Sequence, residues 1–215
     1  SAIQAPIVPF IPHSLSEDEI EQQIEDFVVC AGLAFAAGYD GIEIMGSEGY
    51  LINQFICRHT NKREDKWGGS FKSRTRFPLE IIRRIRQRFG DNHIVIFRLS
   101  ILDLVENGSD FEEVIQLALA LEEVGVNIIN SGIGWHETRI PTIASVVPRA
   151  AFSGITAKVK NRTNIPIVAC NRINTPEVAE AILADGLADM VSMARPFLAD
   201  SQFVKKAEAD QAQSI

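Results

Sequence analysis

Three cysteines in 215 residues, Cys30, Cys57 and Cys170, are too few and too scattered for a disulfide framework. Their spacing also excludes a zinc or iron–sulfur ligand set. It fits a reducing compartment, and a cytoplasmic location is expected. As isolated thiols they read as small buried apolar residues. No apolar run approaches the ~20 residues that a membrane helix needs. The N-terminal run Ser1-Ala2-Ile3-Gln4-Ala5-Pro6 has no charged region followed by an apolar stretch. It is therefore not a signal peptide, and without Met it reads as an internal start. Basic excess is missing too. A net charge of −7 and a pI near 5.2 argue against general nucleic-acid binding, which needs a positive field. Arg83, Arg84, Arg86 and Arg88 do cluster on one helical stretch, and they read as a solvated outer face. No G-x-G-x-x-G follows a β-rich run, and there is no linker or low-complexity segment.

What remains is an ordinary globular composition, 46% hydrophobic and 23% charged, long enough for one sizeable core. Five runs rich in Ile and Val read as parallel strands buried on both faces: Asp40–Met45, Ile94–Leu99, Asn127–Asn130, Ile165–Cys170 and Asp189–Met193. Helices fall between them. Ser16-Glu17-Asp18-Glu19 and Ser109-Asp110-Phe111-Glu112 read as capping boxes. Arg76 to Phe89 carries Phe77, Ile81, Ile82 and Ile85 at helical spacing. Thr175-Pro176 supplies an N-cap and an N1 proline, and Gly125 and Gly186 sit where helices end. Strand–helix repetition implies a parallel sheet of the (β/α)₈ TIM-barrel type. A full barrel has eight strands in about 250 residues. The expectation is an incomplete barrel of about five units, its first three strands missing, with residues 1–215 as one partial domain.

Polar residues collect at the C-terminal ends of these runs, where such barrels keep their chemistry. Glu48, bracketed by Gly46 and Gly49, and then Tyr50 follow the first; a packed core ring is the competing reading for Tyr50. The second ends in Arg98-Leu99-Ser100, and the third leads to Gly134-Trp135-His136-Glu137. The last two end in Cys170-Asn171-Arg172 and Met193-Ala194-Arg195-Pro196. Arginine at three of five strand ends is costly without an anion to pair with it. An anionic ligand is expected there, with Asn171, Arg172, Ala194 and Arg195 at the usual phosphate position. His136 is a candidate general acid. His13, His59 and His93 read as surface residues.

The runs Tyr39-Asp40-Gly41-Ile42-Glu43-Ile44, Gly49-Tyr50-Leu51-Ile52-Asn53-Gln54-Phe55, Asn61 to Ser70 and Arg74-Thr75-Arg76-Phe77 occur in order. With Arg98-Leu99-Ser100 and Ala194-Arg195-Pro196-Phe197, this pattern resembles the Old Yellow Enzyme family of FMN-bearing barrel reductases over nearly the whole chain. Typical members carry a His on the strand and a His or Asn three residues later, where this chain has Met45 and Glu48. Met45 to Tyr50, Gly132 to Glu137 and Asn171 to Asn174 are more similar to the bacterial NADPH-dependent 2,4-dienoyl-CoA reductases. The resemblance implies Tyr50 and His136 as a proton-donating pair, with Glu48 tuning it. It implies Arg98 against the flavin ring, and Arg172, Ala194 and Arg195 around the FMN phosphate. An unsaturated acyl-CoA would be the substrate and NADPH the electron source, through FAD and a [4Fe–4S] cluster whose ligands are absent from this chain. Two alternatives stay open: a non-catalytic piece of a barrel without a stable cofactor, and an ene-reductase acting on free enones.

Overall fold

The computed structural model describes residues 1–139 and 141–215. Helix α1 (Glu17–Ala36) precedes strand β1 (Gly41–Gly46), and short helices α2 (Leu51–Ile56) and α3 (Phe71–Arg74) follow. Then come α4 (Arg76–Phe89), β2 (Ile94–Leu102), α5 (Phe111–Glu123), β3 (Ile128–Ile133) and α6 (Ser153–Lys160). The chain continues through β4 (Ile167–Ala169), α7 (Pro176–Ala184), β5 (Met190–Val191), α8 (Arg195–Ala199) and α9 (Phe203–Glu208).

All five strands are parallel and lie in the order β1-β2-β3-β4-β5. Sequential order without a reversal is the signature of a (β/α) barrel; a doubly wound sheet reverses at its switch point. The chain is thus an incomplete TIM barrel of five strands. Register aligns Met45, Arg98, Asn130, Val168 and Met190 as one row across the lumen face. The alternate residues Ile44, Phe97 and Ile129 are buried under the helices.

Helix α1 starts on a true capping box: Ser16 Oγ accepts from Glu19 N, and Glu19 Oε2 accepts from Ser16 N. The arginines of α4 are only in part a solvated face: Arg83 and Arg88 are exposed, but Arg84 and Arg86 are half-buried. Arg84 and Arg88 pair with Glu21 and Glu25 of α1, each at 2.6 Å. The guanidinium of Arg86 donates to the Gly125 and His93 carbonyls and to Asn127 Oδ1. The acidic outer stripe of α1 had covered what the α4 sequence alone left open. His59 and His93 are half-buried, not surface groups. His59 meets Trp135 edge to face, and His93 stacks on Phe35 with ring centres 3.8 Å apart.

Helix α5 is capped by Asp110, whose side chain accepts from Glu113 N, not by Ser109. Ser109 instead gives its backbone N–H to Asp103. Thr175 and Pro176 start α7 as read from the sequence. Gly125 and Gly186 follow α5 and α7 with φ of +99° and +68°, a region closed to most side chains. Strands β4 and β5 are shorter than the sequence implies; β4 begins after Pro166, which has no N–H to give to the ladder. The main hydrophobic cluster spans α1, α4, α5 and β1 to β3, and a smaller one joins Ala169, Ile173, Ala179, Ile182 and Ala188. Cys57 and Cys170 are buried, whereas Cys30 is exposed on α1, against its reading as a buried residue. No helix among the described residues is long and apolar enough to cross a membrane.

Candidate functional site

The C-terminal end of β1 leads into a tight turn over residues 47–50, closed by Tyr50 N donating to the Ser47 carbonyl at 3.2 Å. Both central residues have positive φ, +62° at Glu48 and +82° at Gly49, as a type I′ turn requires. A Cβ on Gly49 would stand 2.7 Å from the Trp135 ring, so only glycine fits under that indole. Tyr50 caps α2, and Asn53 on the first turn of that helix accepts from Gly49 N at 2.9 Å. The turn is therefore held from both sides.

Tyr50 and His136 come together as expected, although 86 residues separate them. Tyr50 Oη and His136 Nε2 are 2.6 Å apart, with the rings edge to face at 5.1 Å. Tyr50 is 48% exposed, so it is not a packed core ring. His136 is exposed as well, while Trp135 beside it is buried. The pair can donate or pass a proton to a molecule at the barrel mouth.

Glu48 does not reach Tyr50 through any hydrogen bond; its carboxylate faces the lumen. Oε1 accepts from Arg98 Nη2 at 2.7 Å and Nε at 3.1 Å. Glu43 lies 4.0 Å from the same guanidinium and accepts from Asn130 Nδ2 at 2.9 Å. Arg98 is thus bracketed by two carboxylates. Cys170 sits 3.8 Å from Arg98 and hydrogen-bonds the Ser131 carbonyl. Burial pushes its thiol up to about 11, so it is neutral at pH 7.

Arg172 and Arg195 approach the same cleft from the ends of β4 and β5. Asn171 and Arg172 both have positive φ, +64° and +59°, which turns the backbone sharply after β4. Arg172 Nε donates to the Val147 carbonyl, and Asn171 Nδ2 donates to Thr142 Oγ1. Ala194 is the N-cap of α8, and Arg195 is its first residue. Neither Arg172 nor Arg195 has a carboxylate partner among the described residues. The cleft holds about 460 Å³ and is lined by Glu48, Arg98, Asn130, Arg172 and Arg195 among others. A second cavity of about 520 Å³ lies between the N-terminal segment and Tyr50. Glu48, Trp135 and His136 line both, so the Tyr50–His136 pair stands at the wall between them. Sequence reasoning missed Glu43, Asn130 and Asp103. The first two are recoverable from strand alternation, which puts them on the lumen face with Arg98.

Residues 1–214 match the model of the NADH:flavin oxidoreductase / NADH oxidase family. The chain is 39% identical over its whole length to a metal reductase of Desulforamulus reducens, of which it covers 32%. It is 41% identical over 208 residues, 95% of the chain, to an NADH oxidase of Thermoanaerobacter brockii, again covering 32% of that protein. A solved 2-naphthoyl-CoA reductase, in complex with 2-naphthoyl-CoA, superposes with a TM-score of 0.95 at 34% identity. That match covers 99% of this chain and 33% of the other. The chain spans about a third of the length of these relatives. With a family model matched along nearly its full length, the chain belongs to the NADH:flavin oxidoreductase / NADH oxidase family.

Proposed function

We propose that the protein in which this chain occurs reduces a carbon–carbon double bond conjugated to the carbonyl of an acyl-CoA thioester, as a 2,4-dienoyl-CoA reductase does. The observation that carries this is the 2.6 Å Tyr50–His136 pair beside a cleft lined by arginines. The residues present fit FMN. Two arginines without carboxylate partners among the described residues, Arg172 on a positive-φ turn and Arg195 at the start of α8, suit a phosphate dianion, since unpaired cations converging on one cleft are costly otherwise. Arg172, Arg195, Asn171 and the backbone at Ala194 would hold the phosphate, and Arg98 the ring system.

Bound there, FMN would supply hydride to the double bond. Tyr50 gives its proton to the substrate carbon, and His136 Nε2 restores the proton to the phenol oxygen. His136 also polarises the thioester carbonyl. Glu48 holds Arg98 in the lumen through two contacts on one oxygen, which fixes the guanidinium plane. NADPH would be the electron source, with FAD and a [4Fe–4S] cluster as the carriers that the resemblance implies.

Met45 bears on the choice between thioesters and free enones. It stands in the lumen row beside Arg98, and its thioether has no hydrogen to donate to a substrate carbonyl. The test is single-turnover reoxidation of dithionite-reduced flavoprotein, with a 2,4-dienoyl-CoA against a free cyclic enone. Faster reoxidation by the thioester is expected; a clear preference for the enone refutes the thioester reading. A second reading, a piece without stable cofactor, is favoured for the isolated chain. Its lumen face leaves Ile94 and Met190 exposed, and β1 and β5 are open edges. Stoichiometric flavin retained by the 215-residue chain after gel filtration would refute that.

A further inference from the structure

We propose that Asp103 is the positioning residue that couples the two loops carrying Tyr50 and His136; the catalytic part of this inference rests on the proton-donor reading above.

Asp103 is 3% exposed and lies between the two loops without touching the cleft. A β-bulge between Ser100 and Leu102 breaks the register of β2 with β3. Without it Asp103 would continue the alternation; with it the carboxylate turns back under the strand ends, a known use of bulges near sites. Oδ1 then accepts from Ser100 Oγ at 2.6 Å, Trp135 Nε1 at 2.8 Å and Asn53 Nδ2 at 3.3 Å. Oδ2 accepts from Ser109 N at 2.7 Å. Gly108 permits that last contact, since a Cβ there would stand 2.9 Å from Asp103 Cβ.

Two of these donors lead to the proton pair by separate routes. Asn53 passes the constraint to Gly49, whose N–H it accepts, and so to the turn that presents Tyr50. Trp135 precedes His136 and is gripped twice, through its indole and through its backbone N–H to the Asp103 carbonyl at 3.1 Å. The loops also touch directly where Gly49 lies against the Trp135 ring. A single buried acceptor thus fixes the spacing of two groups that must lie within a hydrogen bond of each other. A carboxylate suits this task because it accepts from every side, whereas an amide would turn a donor toward one of the four.

The test uses the full-length flavoprotein with Asp103→Asn, Trp135→Phe and the double substitution. Trp135→Phe keeps an aromatic ring beside Gly49 and removes the indole N–H together with part of the ring's bulk, and it remains informative if Asp103→Asn fails to fold. Backbone hydrogen exchange is followed in residues 47–53 and 132–137, with 167–184 as the internal control. Loss of a bond to a buried charge should speed exchange about tenfold or more in both segments together, and leave the control unchanged. Reoxidation of the dithionite-reduced flavin by the acyl thioester should slow by about tenfold or more with flavin content intact. The double substitution should be no slower than Asp103→Asn alone. Unaltered protection, loosening of one segment only, or equal loosening of the control overturns the coupling. Loosening of both segments with unaltered reoxidation leaves the coupling standing and refutes the roles given to Tyr50 and His136.

Discussion

Replacing Tyr50 by Phe removes one oxygen and little else. The ring is half-exposed and keeps its edge contact with His136, so its packing survives. If the hydroxyl were merely structural, the loss would be one exposed hydrogen bond, about 0.5–1.5 kcal/mol of stability or less. If it delivers the proton, the loss is a general acid worth about 10²–10⁴ in rate. That corresponds to about 2.7–5.5 kcal/mol of barrier, well clear of the structural figure. The two cases separate by where the loss appears, in stability or in rate. The assay is anaerobic stopped-flow reoxidation of the FMN by an unsaturated acyl-CoA. A drop of about 10²-fold or more is expected, with unfolding and flavin content unchanged. His136→Ala should slow the same step, and the double variant should lose less than the product of the two, because both act on one proton. A Tyr50→Phe protein with an unaltered oxidative half-reaction would refute the proton-donor assignment.

Arg172→Ala and Arg195→Ala should each weaken flavin binding by about tenfold or more, read by fluorescence titration of released FMN; the exposed Arg195 belongs at the lower end, and retention unchanged in the double variant would misplace the phosphate site. Glu113 is buried and holds Arg74, 1% exposed, at 2.6 Å, together with Arg58. Glu113→Gln should cost about 3–5 kcal/mol in urea unfolding, by leaving the Arg74 charge unpaired, and Arg74→Met should recover part of it. A loss below about 1 kcal/mol would contradict this. The Ser16 backbone N–H, then His13, hold the Glu19 carboxyl down at about 2 from 4.5. A depressed carboxyl stabilises the fold above its unfolded value, and that stabilisation is lost as pH falls from 4.5 through about 2. Glu19→Gln should flatten the thermal midpoint across that window, and an unchanged slope would remove Glu19 from the capping argument.

The strands were legible because Ile and Val runs buried on both faces have few other readings; the arginines stood out at the strand ends, but the carboxylates that flank Arg98 did not. Short α2 was hidden: its six residues follow Tyr50 directly, and its N-cap has no side-chain hydrogen bond to announce it. Helix α6 likewise starts at Phe152 without a capping side chain. The partner of Glu48 was not legible. Adjacency to Tyr50 pointed one way, and the positive φ at Glu48 turned the carboxylate to Arg98, 50 residues distant. Asp103 was invisible for a related reason. Two of its four donors, Asn53 and Trp135, lie 50 and 32 residues away, and the bulge that aims it leaves no mark in local composition.

The division of the core into a large cluster and a small one bears on how the molecule assembles. The large cluster lies almost wholly in the chain up to β3, with Val159, Ile167 and Cys170 added from beyond it, and it already contains the elements that carry Tyr50 and His136. Strands β4 and β5, with their two-residue registers and small cluster, dock onto a surface that already exists. During synthesis, then, the Tyr50–His136 pair can form on a folded nucleus before the arginines at residues 172 and 195 emerge. Folding intermediates of this chain should therefore be structured at the N-terminal two thirds and open at the end that carries Arg172 and Arg195, and an anion bridging those arginines should speed the last step, not the first.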